Sequence, residues 1–151
     1  MSTTPWWLQP WAVLDTETTG LNPEGGDRIV ELGVVLFDNG EVTDRWGVLL
    51  DPECPLPADT TRITGITPED LAGAPTFADV ADKFVSLIED RLLVAYNAAF
   101  DRGFLLHELA RAGKMLPPGG RWIDPLVLAK QLHKGRGKMK LGIVAKRLGI
   151  P

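Results

Sequence analysis

The sequence predicts an α/β domain in which a mixed sheet of about five strands, three antiparallel and the later ones parallel, is flanked by helices. Three observations carry this. Strand-like stretches opening on the apolar run 11–14 and covering 29–37 and 41–50 follow one another through short turn-rich connections, the pattern of an antiparallel meander. Two further apolar runs, 92–96 and 122–124, each follow a stretch of helical periodicity, and right-handed crossovers set such strands parallel to the first. With 151 residues, the chain is long enough for one domain with a proper core and too short for two.

Taken in order, Pro5, Trp6, Trp7, Pro10 and Trp11 form an aromatic lead-in that straps the first strand to the body or offers stacking platforms for bases. Residues 11–14 are apolar and run directly into Asp15-Thr16-Glu17-Thr18-Thr19-Gly20, a strand ending in a turn. Residues 21–27, rich in Asn, Pro, Glu and Gly, read as a loop, and Asp38-Asn39-Gly40 as a hairpin turn. Pro52, Pro55 and Pro57 then break the chain. A helix start is expected at Thr67-Pro68-Glu69-Asp70, Thr67 capping and Pro68 in the first helical position. Phe77, Val80, Phe84, Leu87 and Ile88 fall at helical spacing, so 76–88 reads as an amphipathic helix. Asn97 is placed to cap a helix running to Gly113, and 124–132 and 140–148 read as two more helices around Gly135-Arg136-Gly137.

Composition narrows the function. The single cysteine, Cys54, excludes an internal disulfide and fits a reducing, cytoplasmic setting. Residues 1–10 have neither the basic nor the apolar region of a signal peptide, and no apolar run approaches a membrane span. The net charge of −4 is uneven: all 20 acidic residues precede Lys130, whereas seven of the 16 Lys and Arg lie from Lys130 onward. A basic tail on an acidic body suits phosphate contacts, and it suits a solvated pair of helices equally well.

The chemistry concentrates in two stretches. Alternation along a strand puts Asp15 and Glu17 on one face. Two such carboxylates in a partly buried place call for positive charge between them, which hard divalent cations supply best through oxygen ligands. Asp-x-Glu alone suits a solvated turn; the six-residue string is far more specific. In the second stretch, Asn97-Ala98-Ala99-Phe100-Asp101, Asp101 falls in the first turns of a helix at the end of a strand parallel to the first, the place where ligands collect in such sheets.

These two stretches resemble the first and second motifs of the DnaQ-like DEDD 3′–5′ exonucleases, the family that includes the proofreading epsilon subunit of bacterial DNA polymerase III. The resemblance extends through residues 28–33 and Ile63-Thr64-Gly65-Ile66-Thr67, and departs from the family where Thr64 and Tyr96 stand in place of a frequent His. It implies a ribonuclease-H-like fold and a metal-dependent 3′–5′ exonuclease removing nucleotides from single-stranded DNA 3′ ends, in proofreading or repair. In that reading Asp15, Glu17 and Asp101 are the catalytic and metal-binding residues for two Mg²⁺ or Mn²⁺ ions. Thr18, Gly20 and Leu21 lie under the terminal nucleotide, with Ile63, Thr64, Asn97 and Phe100 bordering it, and the basic segment of Lys134, Arg136, Lys138 and Lys140 holds the strand upstream. A DNA polymerase subunit is an implied partner.

The same resemblance implies a catalytic His, five residues before a fourth metal-binding Asp, beyond Pro151. The expectation is therefore a single exonuclease domain over 1–151, truncated at its C-terminus, with its general base outside the chain and little activity on its own. His107 lies about 120° around the helix from Asp101, and His133 falls in the basic loop; neither substitutes. Two alternatives stand beside this reading: a 3′–5′ exoribonuclease, and a non-catalytic module binding nucleic-acid ends or a polymerase.

Overall fold

The computed structural model describes residues 4–118, 121–132, 137 and 140–149. Among these described residues, ten elements follow a short 3₁₀ turn at Trp6–Leu8: β1 (Trp11–Thr18), β2 (Ile29–Asp38), β3 (Glu41–Leu49), α1 (Ala58–Thr64), α2 (Phe77–Ile88), β4 (Leu92–Val94), α3 (Ala98–Arg111), β5 (Trp122–Ile123), α4 (Pro125–Leu132) and α5 (Leu141–Arg147). The sheet has the order β3-β2-β1-β4-β5. The first three strands pair antiparallel, and β4 and β5 run parallel to β1, as the element order predicts. Between β2 and β3, Asn39 and Gly40 both take positive φ, 53° and 81°. Two left-handed residues in succession match the twist of the flanking strands, which is why an Asn-Gly pair makes this turn.

Alternation in the strands builds the core. Ala12 and Leu14 of β1 and Leu32, Val34 and Leu36 of β2 are buried against Phe77, Phe84 and Ile88 of α2 and Phe104, Leu105 and Leu109 of α3. Helix α2 begins with a complete capping box, the Thr76 hydroxyl accepting from the Asp79 N–H and the Asp79 carboxylate from the Thr76 N–H. The outer strand β3 is mostly exposed and carries Glu41, Thr43, Asp44 and Arg45, side chains that discourage pairing with another chain. At the N-terminus Trp6 stacks on Trp11, centroids 5.5 Å apart, and the Trp11 indole N–H donates to the Trp6 carbonyl at 2.7 Å, so the lead-in folds back on the first strand.

Several local expectations are corrected. Residues 68–73 form consecutive turns, not a helix: Thr67 and Asp70 bond each other reciprocally, but Gly73 takes the left-handed conformation and Pro75 follows at once, so the turn never propagates. A helix instead occupies Ala58–Thr64, directly after Pro57, a position whose fixed φ suits a helix start. The fourth strand stops at Val94, two residues short of its apolar run. Asn97 does not cap α3 with its side chain; its backbone is left-handed (φ 61°, ψ 54°), not the extended conformation of a capping residue. His133, Lys134, Gly135, Arg136 and Lys138 lie outside the described residues.

Candidate active site

The unequal lengths of β1 and β4 create the site. β4 pairs with β1 only at Trp11, Ala12 and Val13, so from Leu14 onward that side of β1 has no strand beside it. The first turns of α3 take the space. Asp101, 4% exposed, sits there and accepts a hydrogen bond from the Thr16 hydroxyl. Ala12, Leu14 and Thr16 face the helices, whereas Val13, Asp15 and Glu17 alternate to the other face, Asp15 exposed and Glu17 half-buried.

Three carboxyl groups thus lie along the unpaired end of β1, Asp101 on the helix side and Asp15 and Glu17 on the opposite face, and their protonation reflects it. Burial pushes Asp101 up to about 6; bonds from the Thr16 hydroxyl and N–H oppose the rise, and the charges of Asp15 and Glu17 add to it. Glu17 is raised by burial and by the charges of Asp15 and Glu31. Asp15 is raised by desolvation, against a bond from Thr16. Among the described residues no Lys, Arg or His forms an ion pair with any of the three. Oxygen donors carrying uncompensated charge fit a hard divalent cation. The fit is an open one: among the described residues no three His, Cys, Asp or Glu stand close enough together to hold a single ion between them. Asp15 and Glu17 would hold such an ion directly, with Asp101, engaged by Thr16, acting at one remove.

Beside these carboxylates lies a cleft of ≈ 430 Å³ lined by residues including Glu17, Thr18, Gly20, Leu21, Ile63 and Phe100. Thr64 lines it as well, so six of the seven residues expected around a terminal nucleotide share one cavity; Asn97 does not line it. Leu21 and Ile63 are 84% and 73% exposed, two apolar side chains standing free at its rim. The cleft floor is fixed by hydrogen bonds. Thr18 donates its hydroxyl to the Gly20 carbonyl at 2.6 Å, and Thr60 of α1 donates to the Thr19 carbonyl at 3.0 Å. Asp27 accepts from the Thr19 hydroxyl and the Asn22 N–H. A Cβ at Gly20 would lie 2.3 Å from the Asp27 carboxylate, so this glycine answers first to the loop's own packing.

Two supporting groups escape a reading of motifs. Glu108, 2% exposed, receives both the Nε and Nη2 hydrogens of Arg28 at 2.6 and 2.8 Å, tying α3 to the chain entering β2. The Thr19 N–H in turn donates to the Arg28 carbonyl, and the Arg28 N–H to the Thr19 hydroxyl. Asp124 caps α3 and α4 together, and the Asp-Pro pair at residues 124–125 is a helix-start signal the sequence does display. His107 is engaged with the Gly103 carbonyl at 2.9 Å, one turn back on its own helix and away from the carboxylates.

A sheet of this order with acids at the unpaired end of its central strand defines the class, a ribonuclease-H-like α/β domain. The chain belongs to the exonuclease family: the family described as RNase_T: Exonuclease matches residues 12–151. Among its relatives, the DNA polymerase III subunit epsilon of Rickettsia felis is 41% identical over 142 residues, a match covering 91% of this chain and 62% of that protein. The PolC-type DNA polymerase III of Clostridium perfringens is 39% identical over 140 residues, covering 93% and 10%. The 3′–5′ exonuclease DinG of Bacillus subtilis is 36% identical over 142 residues, covering 94% and 15%. The chain therefore spans less than two thirds of each of these relatives. In structure it resembles E. coli exonuclease I in complex with a dT13 oligonucleotide, with a TM-score of 0.79 at 19% identity over 95% of this chain and 36% of that one. No helix among the described residues is long and apolar enough to cross a membrane.

Proposed function

We propose that this domain is the catalytic part of a 3′–5′ exonuclease that removes nucleotides from single-stranded DNA ends, in proofreading or repair. The observation that carries the reading is Asp101, buried against Thr16 and repelled by Asp15 and Glu17, beside a cleft of nucleotide size. The names of relatives support it: a DNA polymerase III epsilon subunit, which also makes a polymerase subunit the partner to test, and a 3′–5′ exonuclease. The single-stranded oligonucleotide on exonuclease I points to the substrate class.

In this reading Asp15 and Glu17 bind Mg²⁺ or Mn²⁺ and Asp101 orients the assembly from the helix side. The bound cations supply Lewis-acid stabilisation of charge on the phosphate and lower the pKa of water. Gly20 and Thr18 support the terminal sugar, Leu21, Ile63 and Phe100 enclose the base and exclude water from it, Thr64 borders it, and Asn97 stands at the neighbouring helix start. Thr16 donates its hydroxyl to Asp101 and so favours and directs the ionised carboxylate.

The test is release of mononucleotides from 3′ ends of matched single-stranded DNA and RNA by the complete polypeptide, with Mg²⁺ or Mn²⁺, with EDTA, and in the Asp15→Asn variant. DNA shortening that needs the cation and is lost in Asp15→Asn is the expected result. Binding without cleavage, or cleavage indifferent to Asp15→Asn, would overturn it, and preference for RNA would reassign the substrate.

A further inference from the structure

Helix α3 carries Asp101 in its first turn, yet among the described residues no side chain on α3 fixes where that helix begins. The residue at its cap position, Asn97, is left-handed and makes no side-chain cap bond, so the first N–H groups lack the usual local acceptor. Asp124 supplies one from a different part of the chain. Its Oδ1 accepts the Asn97 N–H and its Oδ2 the Ala98 N–H, both at 2.9 Å, while Oδ1 also takes the Leu126 N–H at 2.9 Å at the start of α4. One carboxylate therefore fixes two helix starts to the end of β5, and β5 is tied to β4 and through it to β1. The charge suits the place, because the positive ends of both helices converge on it.

We infer that Asp124 is a positioning residue for Asp101: by clamping the start of α3 to the parallel half of the sheet, it sets the distance between Asp101 and the carboxylates of β1. It also frees the Asn97 side chain from capping and holds that residue in its left-handed conformation. The inference rests on the metal-binding reading of Asp15, Glu17 and Asp101, and concerns how their geometry is held. Partners that orient metal ligands are worth about 10–100-fold in metal affinity.

Mn²⁺ titration calorimetry on the full chain tests it through four proteins: wild type, Asp124→Ala, Asp101→Asn and the double variant. The expected result is a loss of affinity of roughly 10–100-fold on Asp124→Ala, and no further loss when the same change is made in Asp101→Asn. Asp124→Asn, which keeps one acceptor oxygen, should fall between. Amide exchange in the absence of metal follows the clamp itself, with protection at Asn97 and Ala98 lost in Asp124→Ala. Equal losses in both backgrounds would reduce Asp124 to a general structural role, and retained affinity or retained amide protection would overturn the inference. A titration unchanged by Asp15→Asn would overturn the metal reading instead, and would show it independently of any result at Asp124.

Discussion

Replacing Asp101 by Asn keeps the side chain's shape and an oxygen for the Thr16 hydroxyl while removing the charge. In the folded protein the carboxyl of Asp101 is pushed up to about 6 from 3.8, chiefly by burial. At about 1.4 kcal/mol for each pKa unit, that rise costs the wild-type fold on the order of 3 kcal/mol once the group is ionised. Well below pH 4 the group is protonated in both folded and unfolded chains, so the variant gains nothing there. As pH climbs from about 4 to about 6 the unfolded chain ionises first, and the wild type progressively loses stability relative to the variant. Above that window the difference stays constant. Urea unfolding followed by tryptophan fluorescence in EDTA, at intervals from pH 3.5 to 8, measures it; in a chain of this size each kcal/mol also moves Tm by about 2–4 °C. A variant less stable than wild type at neutral pH, or an advantage that does not change with pH, would refute the account of Asp101 as a buried, uncompensated charge.

Other consequences follow from neighbouring contacts. Mn²⁺ at about a hundred times its Kd should stabilise the wild type by about 2.7 kcal/mol, an effect read as a rise in Tm that EDTA reverses and Asp15→Asn removes. Glu108→Gln leaves the half-buried Arg28 guanidinium facing a neutral amide, with Glu53 still 3.7 Å away, and should cost about 1–3 kcal/mol in urea unfolding. Gly20→Ala forces the Asp27 carboxylate off Thr19 and Asn22 and should cost roughly 1–3 kcal/mol of stability, with amide exchange at residues 19–27 rising more than exchange in α2.

The sheet was legible because its signals are local and redundant. Alternation in the first three strands, an Asn-Gly turn and the helical spacing of Phe77, Val80, Phe84 and Ile88 all favour the same topology. What misled were short signals whose outcome depends on neighbours. Thr67-Pro68 is a proper helix start, but Gly73 and Pro75 end it within two turns. Asn97 is a proper cap residue, but a carboxylate 27 positions away does the capping, and the chain goes through the left-handed region instead. Within the candidate site, strand periodicity fixes the relation of Asp15 to Glu17, and the helix start fixes Asp101, so their placement was open to a sequence reading. The Arg28–Glu108 tie and the Asp124 clamp were not, since they join residues far apart in sequence through geometry that only the folded chain supplies.

A three-residue strand looks like an economy that invites improvement: continue β4 past Val94, give β1 a neighbour along its whole length, and backbone bonds would be added to the sheet. The added strand would occupy the ground on which the helix now begins, and its carbonyl groups would compete with Asp101 for Thr16. Greater rigidity gained there would close the notch between strand and helix in which Asp101 meets Thr16. Attempts to harden this fold should therefore leave that gap alone and work on the far edge, where β3 runs along the solvent with little to lose.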